Sequence, residues 1–547
     1  MSAMLTMASR YWHTLKYLKP VQFYGRALFR VLPKLDAISP APQRRPGPFT
    51  WQVPVSRPPS RTGPASFDLL GKALVLPERG GWDDPSVDKL RRYNLHYFDW
   101  LCADTATGDE AVDRALAGRW IAENPPREGS GWEPYPVSLR IVNWIKWLVR
   151  LDDPSRDLVK NLALQARWLA RRLEWHLLGN HLFANAKALV FAGLFFDGLE
   201  ADRWRKTGLA IIAAQLTEQQ LSDGGHFERS PMYHAIFIED LLDLINAAES
   251  WPTLVPTPVV ARWRSAAERG LSYLAAVTHP DGEIALFNDA AIGIAPRHNA
   301  LAAYADRLAI LHPKRNPAPL THLRASGYVR VASGPAVALL DVAPVGPDYL
   351  PGHAHADTLS FELSVGERRF IVNGGTSEYG TGPVRRFERG TAAHSTVEID
   401  EMDSSETWGG FRVARRARPV DLRINDGPPL TISCAHDGYT RLPGKPVHRR
   451  SWTFTDDGMS VDDSVSGAVR TAVARYILAP DIDVTPVGEN RWRLAHSDGA
   501  SLVVAVRHGS ASITDAHYGP HFGTRLATRC LQVVLIDNHA TVTFDWS

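Results

Sequence analysis

Three short segments stand out because each places polar, proton-exchanging side chains inside an otherwise apolar run. The first carries Asn180 and His181 at the start of a helical pattern, and the second carries Tyr233 just after a loop with Gly and Pro. The third holds His353 and His355 immediately before a strand pattern. Phenol, imidazole and amide groups can accept a proton, deliver one and stabilise a developing negative charge. The segments are Leu177–Leu189, Asp223–Leu242 and Gly352–Leu363.

Each of these residues also has an ordinary structural explanation. An Asn-His pair at a helix start commonly serves as a cap, and a Tyr on an amphipathic helix is usually a core residue. His353 and His355 are more informative, because residues two apart on a strand point to one side and suit a shared cleft or a metal. His394, which enters another predicted strand, adds to that pattern. On the residues alone, catalysis, metal binding and packing all stay open.

Basic and aromatic side chains that could hold an acidic ligand lie near these segments. Arg140 follows an aromatic-rich stretch, and Arg229 lies in the loop of the second segment. Arg385 and Arg386 precede the third histidine. A guanidinium can clamp a carboxylate through two parallel hydrogen bonds, and an indole can stack on a sugar. We therefore predict substrate-binding roles for Arg140, Arg229, Arg386 and Trp408, with solvated surface charge as the alternative for each arginine. Further arginines follow Trp408, at Arg412, Arg415, Arg416 and Arg418.

The elements that must position these residues follow from the hydrophobic period. From about residue 90 to 312, apolar residues recur at steps of three and four, as at Val137, Ile141, Ile145 and Leu148, which predicts a helical bundle or α/α toroid. After about residue 320 the period becomes two, which predicts antiparallel strands of a β-sandwich. The candidate residues come from both parts, so we predict the site in the cleft between them.

The N-terminal region has a different character. The stretch from Tyr11 to Lys34 mixes aromatic and basic residues and predicts an amphipathic helix, which either packs on its own protein or contacts a membrane surface or a partner. Residues 40–64 are rich in Pro and Arg and predict an extended strap. The predicted domain plan is residues 1–89 for helix and strap, 90–315 for the catalytic toroid and 316–547 for the β-sheet domain.

Composition excludes several classes of protein. The chain has 547 residues, 44% of them hydrophobic, so it can bury large cores without disulfides. The three cysteines, Cys102, Cys434 and Cys530, form no CxxC pair, which argues against a zinc ribbon or a redox motif. A net charge of +2 gives no indication of nucleic acid as a partner. We find no signal-peptide pattern and no apolar run long enough to span a membrane, so a cytoplasmic or membrane-peripheral location is expected, with the periplasm as an alternative.

Several motifs in order resemble the heparinase II/III family of polysaccharide lyases, to which oligoalginate lyases are related. They are NH at Asn180, ERSPMY ending at Tyr233, PGHAHADTLSFEL, FIVNGGTSEY, TAAHSTVEID and WGGFRVARRA. The resemblance covers roughly residues 90 to 430 and is specific because the motifs match in order. It implies an α/α toroid followed by antiparallel β-sheets, and cleavage of an acidic polysaccharide or oligosaccharide beside a uronic acid by β-elimination.

The resemblance also implies roles for individual residues. Asn180 and His353 would neutralise the uronate carboxylate, and Tyr233 would act as base and acid with assistance from His181. A structural zinc in the family is held by a His, an Asp and a second His. His355 and His394 match two of these positions, but Asn373 stands where the Asp is usual, and an amide is the weaker ligand. No organic cofactor is implied.

Two other functions remain as alternatives. A glycoside hydrolase on the same kind of toroid would need two carboxylates across the scissile bond, for which Asp223, Glu228 and Asp357 are candidates. A non-catalytic protein that binds glycans, for example in surface-polysaccharide assembly, would need neither arrangement. The sequence does not identify the sugar, the direction of cleavage or the oligomeric state.

Overall fold

The structure is a computed structural model that describes residues 2–31, 35, 39–48, 50–103, 109–313 and 317–546. Its helices are α1 Ser2–Leu15, α2 Pro20–Phe29, α3 Lys89–Tyr97, α4 Glu110–Glu123, α5 Pro134–Leu148, α6 Arg156–Leu169, α7 Gly179–Phe195, α8 Leu199–Gln219, α9 Pro231–Ser250, α10 Thr257–Ala276, α11 His298–Arg307 and α12 Pro383–Glu388. Short 3-10 helices span Asp99–Cys102, Ser130–Trp132 and Thr391–Ala393.

Helices α3 to α11 form the helical part, in which α7 packs on α8 and α9 packs on α10. The predicted period on α5 is confirmed, because Val137, Ile141, Ile145 and Leu148 are all fully buried. Helix α7 is buried on almost every side and therefore lies at the centre of the helical part, against α5, α8 and α9. A buried helix of this kind fixes its first residues firmly, and those residues include Asn180 and His181.

The β part consists of two large antiparallel sheets. Its strands are β3 Leu320–Leu323, β4 Tyr328–Ser333, β5 Ala336–Asp341, β6 Phe361–Val365, β7 Arg368–Val372, β8 Val397–Ile399, β9 Thr407–Trp408, β10 Arg412–Val413, β11 Pro419–Asn425, β12 Leu430–His436, β13 Val447–Thr455, β14 Gly458–Ser466, β15 Ala472–Leu478, β16 Ile482–Gly488, β17 Arg491–His496, β18 Ser501–His508, β19 Ser510–Tyr518, β20 Leu526–Val534 and β21 His539–Asp545. A small hairpin of β1 Ser66–Asp68 and β2 Ala73–Val75 precedes them.

The strand order of both sheets shows how the β part is layered. One sheet runs β11-β12-β13-β14-β21-β18-β17-β16 and the other β19-β20-β15-β7-β6-β5-β4-β3, with β8 also paired to β15. The rings of Phe361 and Trp452, one from each sheet, lie 6.5 Å apart between them. The predicted fold class, an α/α toroid followed by an antiparallel β-sandwich, is confirmed.

Strand β6 joins the two parts of the molecule. All five of its residues are buried, including the alternate face that carries Glu362 and Ser364. His279, which follows α10, lies 2.8 Å from the Glu362 carboxylate and 2.8 Å from the Ser364 hydroxyl. Burial of a carboxylate requires such partners. The polar side of this strand therefore binds the helical part and holds the two faces of the cleft in register.

The N-terminal region lies along the surface of both parts. The strap predicted at residues 40–64 has no helix among its described residues and is attached by hydrogen bonds, as where the Arg45 amide donates to the Phe195 carbonyl at 2.8 Å. Helix α1 contacts the β part, since its Thr14 hydroxyl accepts a hydrogen bond from Trp408 at 3.1 Å. Among the described helices, none is both long enough and apolar enough to cross a membrane.

Candidate active site

Tyr233 lies in the first turn of α9, at the cleft between the two parts. The helix begins there because Ser230 caps it, its hydroxyl oxygen accepting a hydrogen bond from the Tyr233 amide at 3.2 Å, and Pro231 follows the cap. The Tyr233 hydroxyl is 2.9 Å from that of Tyr379, and its ring centroid is 4.0 Å from that of His353. Burial and the neighbouring Tyr379 hold the pKa of Tyr233 well above its ordinary value. The resting phenol is therefore neutral.

His353 is held between two carboxyl groups. Its Nδ1 lies 2.9 Å from Asp289 and its Nε2 3.5 Å from Glu228. Asp289 also lies 2.7 Å from His355 and is clamped by both terminal nitrogens of Arg385. Although burial opposes ionisation, Arg385 and the two histidines hold the pKa of Asp289 well below its ordinary range. An ionised Asp289 fixes the ring orientation of His353.

Glu228 lies beneath the start of α7. Its two carboxyl oxygens are buried, and burial raises its pKa, although His353 and the backbone amide of Asn180 act in the opposite direction. Gly179 has a φ of +54°, and a Cβ at this position would lie 2.6 Å from a Glu228 oxygen. Only glycine is accommodated at such a point. The backbone of Asn180 thereby reaches the Glu228 carboxyl group, which in turn contacts His353.

His181 lies on the same rim as Asn180. Its Nδ1 is 3.1 Å from the Glu174 carboxylate, and its ring centroid is 4.5 Å from that of Tyr135. Burial disfavours the charged imidazole, but Glu174 outweighs it, with smaller help from Glu228 and Glu133, so the pKa of His181 is raised. His181 therefore contributes positive charge to the cleft over a wider pH range than an ordinary histidine.

The structure thus brings together the four residues that the sequence proposed for catalysis. Tyr233 touches His353, His353 is next to Glu228, and Glu228 supports the turn that carries Asn180 and His181. These residues come from two helices and from a loop of the β part, so only the packed molecule assembles them. Their catalytic roles stay predictions.

A pocket of about 510 Å³ leads from Tyr233 into the helical part. Tyr135, Tyr233 and Tyr379 line this pocket, together with Lys146 and Lys187. The strap, the hairpin of β1 and β2, and the loop that carries Phe522 form the remaining walls. The volume is in the range of pockets that enclose small ligands.

The sequence predicted that Arg140 binds substrate, and the structure shows that this prediction is wrong. Its side chain is fully buried in α5 and donates to the Gln165 side chain and to the carbonyl oxygens of His96 and Gly131. Burial lowers its pKa well below the ordinary value. An arginine whose donors are all used inside the helical core cannot reach a ligand in the cleft, so Arg140 is a structural residue.

Arg229 is also corrected: its Nε donates to the Ser326 carbonyl at 2.8 Å, so its side chain braces the loop instead of facing a ligand. The half-buried Trp408 ring lies 4.8 Å from the Arg412 guanidinium and 4.9 Å from the Tyr11 ring, and its binding role stays a prediction. Arg386 lies exposed on α12, and its role stays a prediction.

The three residues predicted to hold a zinc ion do lie together. The ring centroids of His355 and His394 are 5.2 Å apart, and the Asn373 amide oxygen is 2.9 Å from Nδ1 of His394. Burial lowers the pKa of His355 to about 4 and that of His394 to about 3, so both rings are neutral. Nδ1 of His355 and Nε2 of His394 are buried without partners in the described chain.

These donors fit a closed structural zinc site only in part. Two neutral imidazole nitrogens are suitable ligands, but the Asn373 oxygen is already engaged with His394. Among the described residues, no group of three or more His, Cys, Asp or Glu side chains could hold a metal ion. No step of the chemistry below is therefore derived through a metal.

Sequence reasoning missed several residues of the site. Asp289, which orients His353, and Glu174, which faces His181, belong to no polar segment that the sequence singled out. Tyr379 ends one of the family-like motifs but was given no role, and Tyr135 was not considered. Asn288, beside Asp289, has a φ of +57°, a conformation that L-residues rarely adopt. Nothing in the one-dimensional pattern reveals that strain.

Comparisons with known proteins agree with the geometry. Residues 83–316 match the model of the heparinase II/III N-terminus, and residues 315–546 match that of the heparinase II/III-like C-terminal domain. A heparin-sulfate lyase of Pedobacter heparinus is 24% identical over 465 residues, covering 77% of this chain and 67% of the relative. One from Bacteroides stercoris is 26% identical over 443 residues, covering 76% of this chain and 62% of the relative. The chain thus spans about two thirds of the length of these relatives.

A solved structure shares the fold over most of the chain. A crystal structure of heparinase III superposes with a TM-score of 0.70 at 20% sequence identity, covering 86% of this chain and 80% of the other. At such low identity the superposition concerns the fold alone. The two family models, however, follow each other along the chain and together cover the helical part and the β part. The chain therefore belongs to the heparinase II/III family of polysaccharide lyases.

Proposed function

We propose that the protein cleaves a uronate-containing polysaccharide or oligosaccharide by β-elimination, with Tyr233 as the proton-transferring group. The observation that carries this proposal is the contact between the Tyr233 and His353 rings at 4.0 Å, with His353 oriented by Asp289. A base next to a carboxylate-binding group is the arrangement that elimination beside a uronate requires. Heparin-sulfate lyases among the relatives support the same reaction class.

The reaction follows from the chemistry of the sugar. A proton on the carbon next to a carboxylate becomes acidic only when the charge that develops on the carboxylate is stabilised. His353 and Asn180 supply donors for that charge. Tyr233 first loses its own hydroxyl proton to solvent. The phenolate then removes the proton from C5, the electron pair of the C5–H bond forms the C4–C5 double bond, and the C4–O bond breaks. The leaving oxygen takes up a proton that Tyr233 has just received.

The environment of Tyr233 must favour loss of its own proton. Burial raises its pKa, so the phenolate needs compensating donors and charge. The Tyr379 hydroxyl at 2.9 Å can donate to it, and the Arg385 guanidinium lies 4.9 Å from the Tyr379 ring. A protonated His181 adds positive charge from the opposite rim. Together these groups replace the solvent that the phenolate lacks.

The pocket that leads from Tyr233 restricts which kind of sugar can lie next to the uronate. Its described arginine and lysine residues are all paired: Lys146 lies 2.5 Å from Asp243, and Lys187 lies 2.6 Å from Asp243 and from Asp240. The third cation, Arg57, pairs with Glu239. No arginine or lysine of this lining is therefore left to bind an anion. We infer that the pocket accepts an uncharged sugar and disfavours a sulfated or second acidic one.

The proposal predicts a ranking of substrates. An unsulfated polymer that alternates uronate with N-acetylhexosamine is expected to be cleaved about tenfold or more faster, in kcat/KM, than its sulfated counterpart or a polyuronate, because like charges in a confined site repel. The measurement is the ultraviolet absorbance of the C4–C5 double bond. Absorbing product from none of the polymers would contradict β-elimination itself. A preference for the sulfated polymer would contradict only the inference about the pocket.

The same assay separates the alternatives. Hydrolysis yields a new reducing end without the double bond, and a glycan-binding protein yields neither product. Of the three candidate carboxylates for a hydrolase, Glu228 lies beside His353, but Asp223 and Asp357 are poorly placed. Asp223 is bound by the backbone amides of Ala325 and Ser326, and Asp357 accepts from the Asn288 amide. Neither carboxylate is free to act as a base in the cleft.

We expect the pH profile to respond to Glu174. If protonated His181 assists Tyr233, activity falls as pH rises through the pKa of His181, which Glu174 raises. Glu174→Gln removes that support, so the alkaline fall should move to lower pH. Glu133→Gln is the matched control, since Glu133 is a weaker contributor, and it should give a smaller shift in the same direction. An unchanged alkaline limb in Glu174→Gln would show that His181 does not titrate in the rate-determining step.

We also propose that the position between His355 and His394 binds zinc weakly because Asn373 supplies an amide. Asn373→Asp should then retain more zinc per chain after dialysis, as measured by elemental analysis of protein purified with zinc. Its melting temperature should rise with added zinc, because a buried carboxylate needs a cation. Asn373→Asp combined with His394→Ala is the control and should lose both effects. Equal zinc content in all three proteins would refute a metal role for this cluster.

A further inference from the structure

The exposed apolar side chains of this protein are concentrated in its first two helices. In the described chain, eight large hydrophobic side chains that lie open to solvent fall within a stretch of 25 residues, although the rest of the chain contributes only scattered ones. Trp12 and Leu28 are each 66% exposed. The eight are Met7, Tyr11, Trp12, Leu15, Phe23, Tyr24, Leu28 and Val31. Soluble monomers rarely gather exposed apolar groups in this way without a binding role.

Both helices carry most of their large apolar side chains on the outward face, although the Tyr11 ring also packs against Trp408 at 4.9 Å. On α1, Met7, Tyr11 and Leu15 recur at steps of four, which places them on one side of the helix. On α2, Phe23 and Tyr24 are followed by Leu28 at steps of five and four. The sequence left open whether this region packs on its own protein, and an ordinary surface helix would turn its apolar side inward.

The inward faces are only partly apolar: Val21 packs against the core, and the Phe29 ring lies 4.2 Å from that of His176 and 3.6 Å from the Arg172 guanidinium. On α1 the hydroxyl of Thr14 meets Trp408. On α2 the buried residues are Gln22, whose side chain donates to the Tyr349 carbonyl at 3.1 Å, and Gly25. A Cβ at Gly25 would lie 3.2 Å from His176, so the helix backbone sits directly on the protein. The two helices are therefore attached by a mixture of polar and apolar contacts, and most of their large apolar side chains are left for another surface.

The charge of the first 35 residues indicates which kind of surface α1 and α2 bind. The first 35 residues contain no Asp or Glu, although the whole chain is nearly balanced at +2. Lys16, Arg26 and Arg30 are exposed, and none forms an ion pair with another described residue. Lysine and arginine beside exposed Trp, Tyr and Phe are the composition of helices that lie in the interface of an anionic bilayer. Trp and Tyr in particular favour that interface.

We propose that α1 and α2 form a binding site for the surface of a membrane that contains anionic lipid. The helices lie in the plane of the interface and do not cross it, which agrees with the absence of a spanning helix in the described chain. Lys19 of this region lies 3.9 Å from the Tyr349 ring, close to the loop that carries His353. A membrane held by α1 and α2 therefore lies on the side of the molecule where this loop borders the cleft.

The test is co-sedimentation of the full chain with vesicles of phosphatidylcholine alone and of phosphatidylcholine with phosphatidylglycerol. Binding is expected only to the anionic vesicles, and it should weaken as salt is raised. Trp12→Gln with Leu28→Gln should lower the vesicle affinity about tenfold or more, because two side chains lose their transfer into the interface. Arg26→Gln with Arg30→Gln should remove most of the preference for anionic lipid.

A control variant and two further measurements separate a specific loss of membrane binding from a general loss of folding. Leu199→Gln with Leu311→Gln changes two side chains that are 81% and 76% exposed elsewhere, and it should leave binding unchanged. All variants should keep the circular dichroism of the wild type and the same rate on a soluble substrate. No binding to either vesicle, or equal loss of binding in the Leu199/Leu311 variant, would overturn the proposal. So would a concentration-dependent dimer that Trp12→Gln with Leu28→Gln abolishes, since a second copy would then cover the face.

Discussion

Tyr233→Phe is expected to lower kcat for β-elimination roughly a hundredfold to ten-thousandfold, the usual contribution of general acid–base catalysis. The change removes one hydroxyl and leaves the ring against His353, so packing at the start of α9 survives. KM should change far less, because Asn180 and His353 still hold the carboxylate. The measurement is the initial rate of double-bond absorbance across substrate concentrations.

Tyr379→Phe is the matched control for this loss. The Tyr379 hydroxyl is 2.9 Å from that of Tyr233 and lies in the same pocket, but in our mechanism it only donates to the phenolate. Its removal should therefore slow the reaction less than Tyr233→Phe does. If Tyr233→Phe turned over substrate at the wild-type rate while Tyr379→Phe was inactive, the base would have to be Tyr379. If both variants were fully active, a histidine would be the base.

The sequence predicted the order of the fold well because hydrophobic period is a local property. Steps of three and four on α5 and alternation on β6 depend on which face of each element is buried. The sequence did not show that both faces of β6 are covered. Period two places Glu362 on the face opposite Phe361, and in the structure that face is buried as well, with Glu362 paired to His279 from the helical part. Only the packing of one part on the other decides that.

Some residues of the site could be predicted from the sequence and others could not, for the same reason. Asn180, Tyr233 and His353 were found because they lie in motifs with unusual local composition. Asp289 was missed, since a lone Asp in an apolar loop has the same appearance as any turn residue. Arg140 was misassigned, because sequence proximity to aromatic residues does not reveal that its donors are used by buried carbonyl groups.

Helices α1 and α2, which precede the strap, show what a sequence pattern leaves undecided. Amphipathic spacing in α1 and α2 was visible in the sequence, but a helical pattern does not say which face meets the protein. The structure places Gln22 and Gly25 inside and Leu28 outside. The large apolar side chains left exposed on both helices turn an ordinary pattern into an indication of a binding surface.

Asp289→Ala is expected to lower the free energy of unfolding by about 3–5 kcal/mol, the usual result of leaving a buried charge without its partner. Arg385 is fully buried, and Asp289 is the carboxylate that its terminal nitrogens clamp. The same substitution frees the ring of His353, so kcat measured on the folded fraction should fall as well. Urea unfolding followed by tryptophan fluorescence gives the stability, and the absorbance assay gives the rate.

Asp463→Ala separates the two effects, because the β part contains a second cluster of the same construction. Asp463 lies 2.8 Å from His448 and pairs with the buried Arg450, but it does not line the pocket. Its removal should destabilise the protein by a similar amount and leave kcat of the folded fraction unchanged. Asp289→Ala combined with Arg385→Met should regain stability without regaining activity, because the uncompensated charge is gone but His353 remains unheld. If the double variant regained activity as well, His353 would not depend on Asp289 for its position.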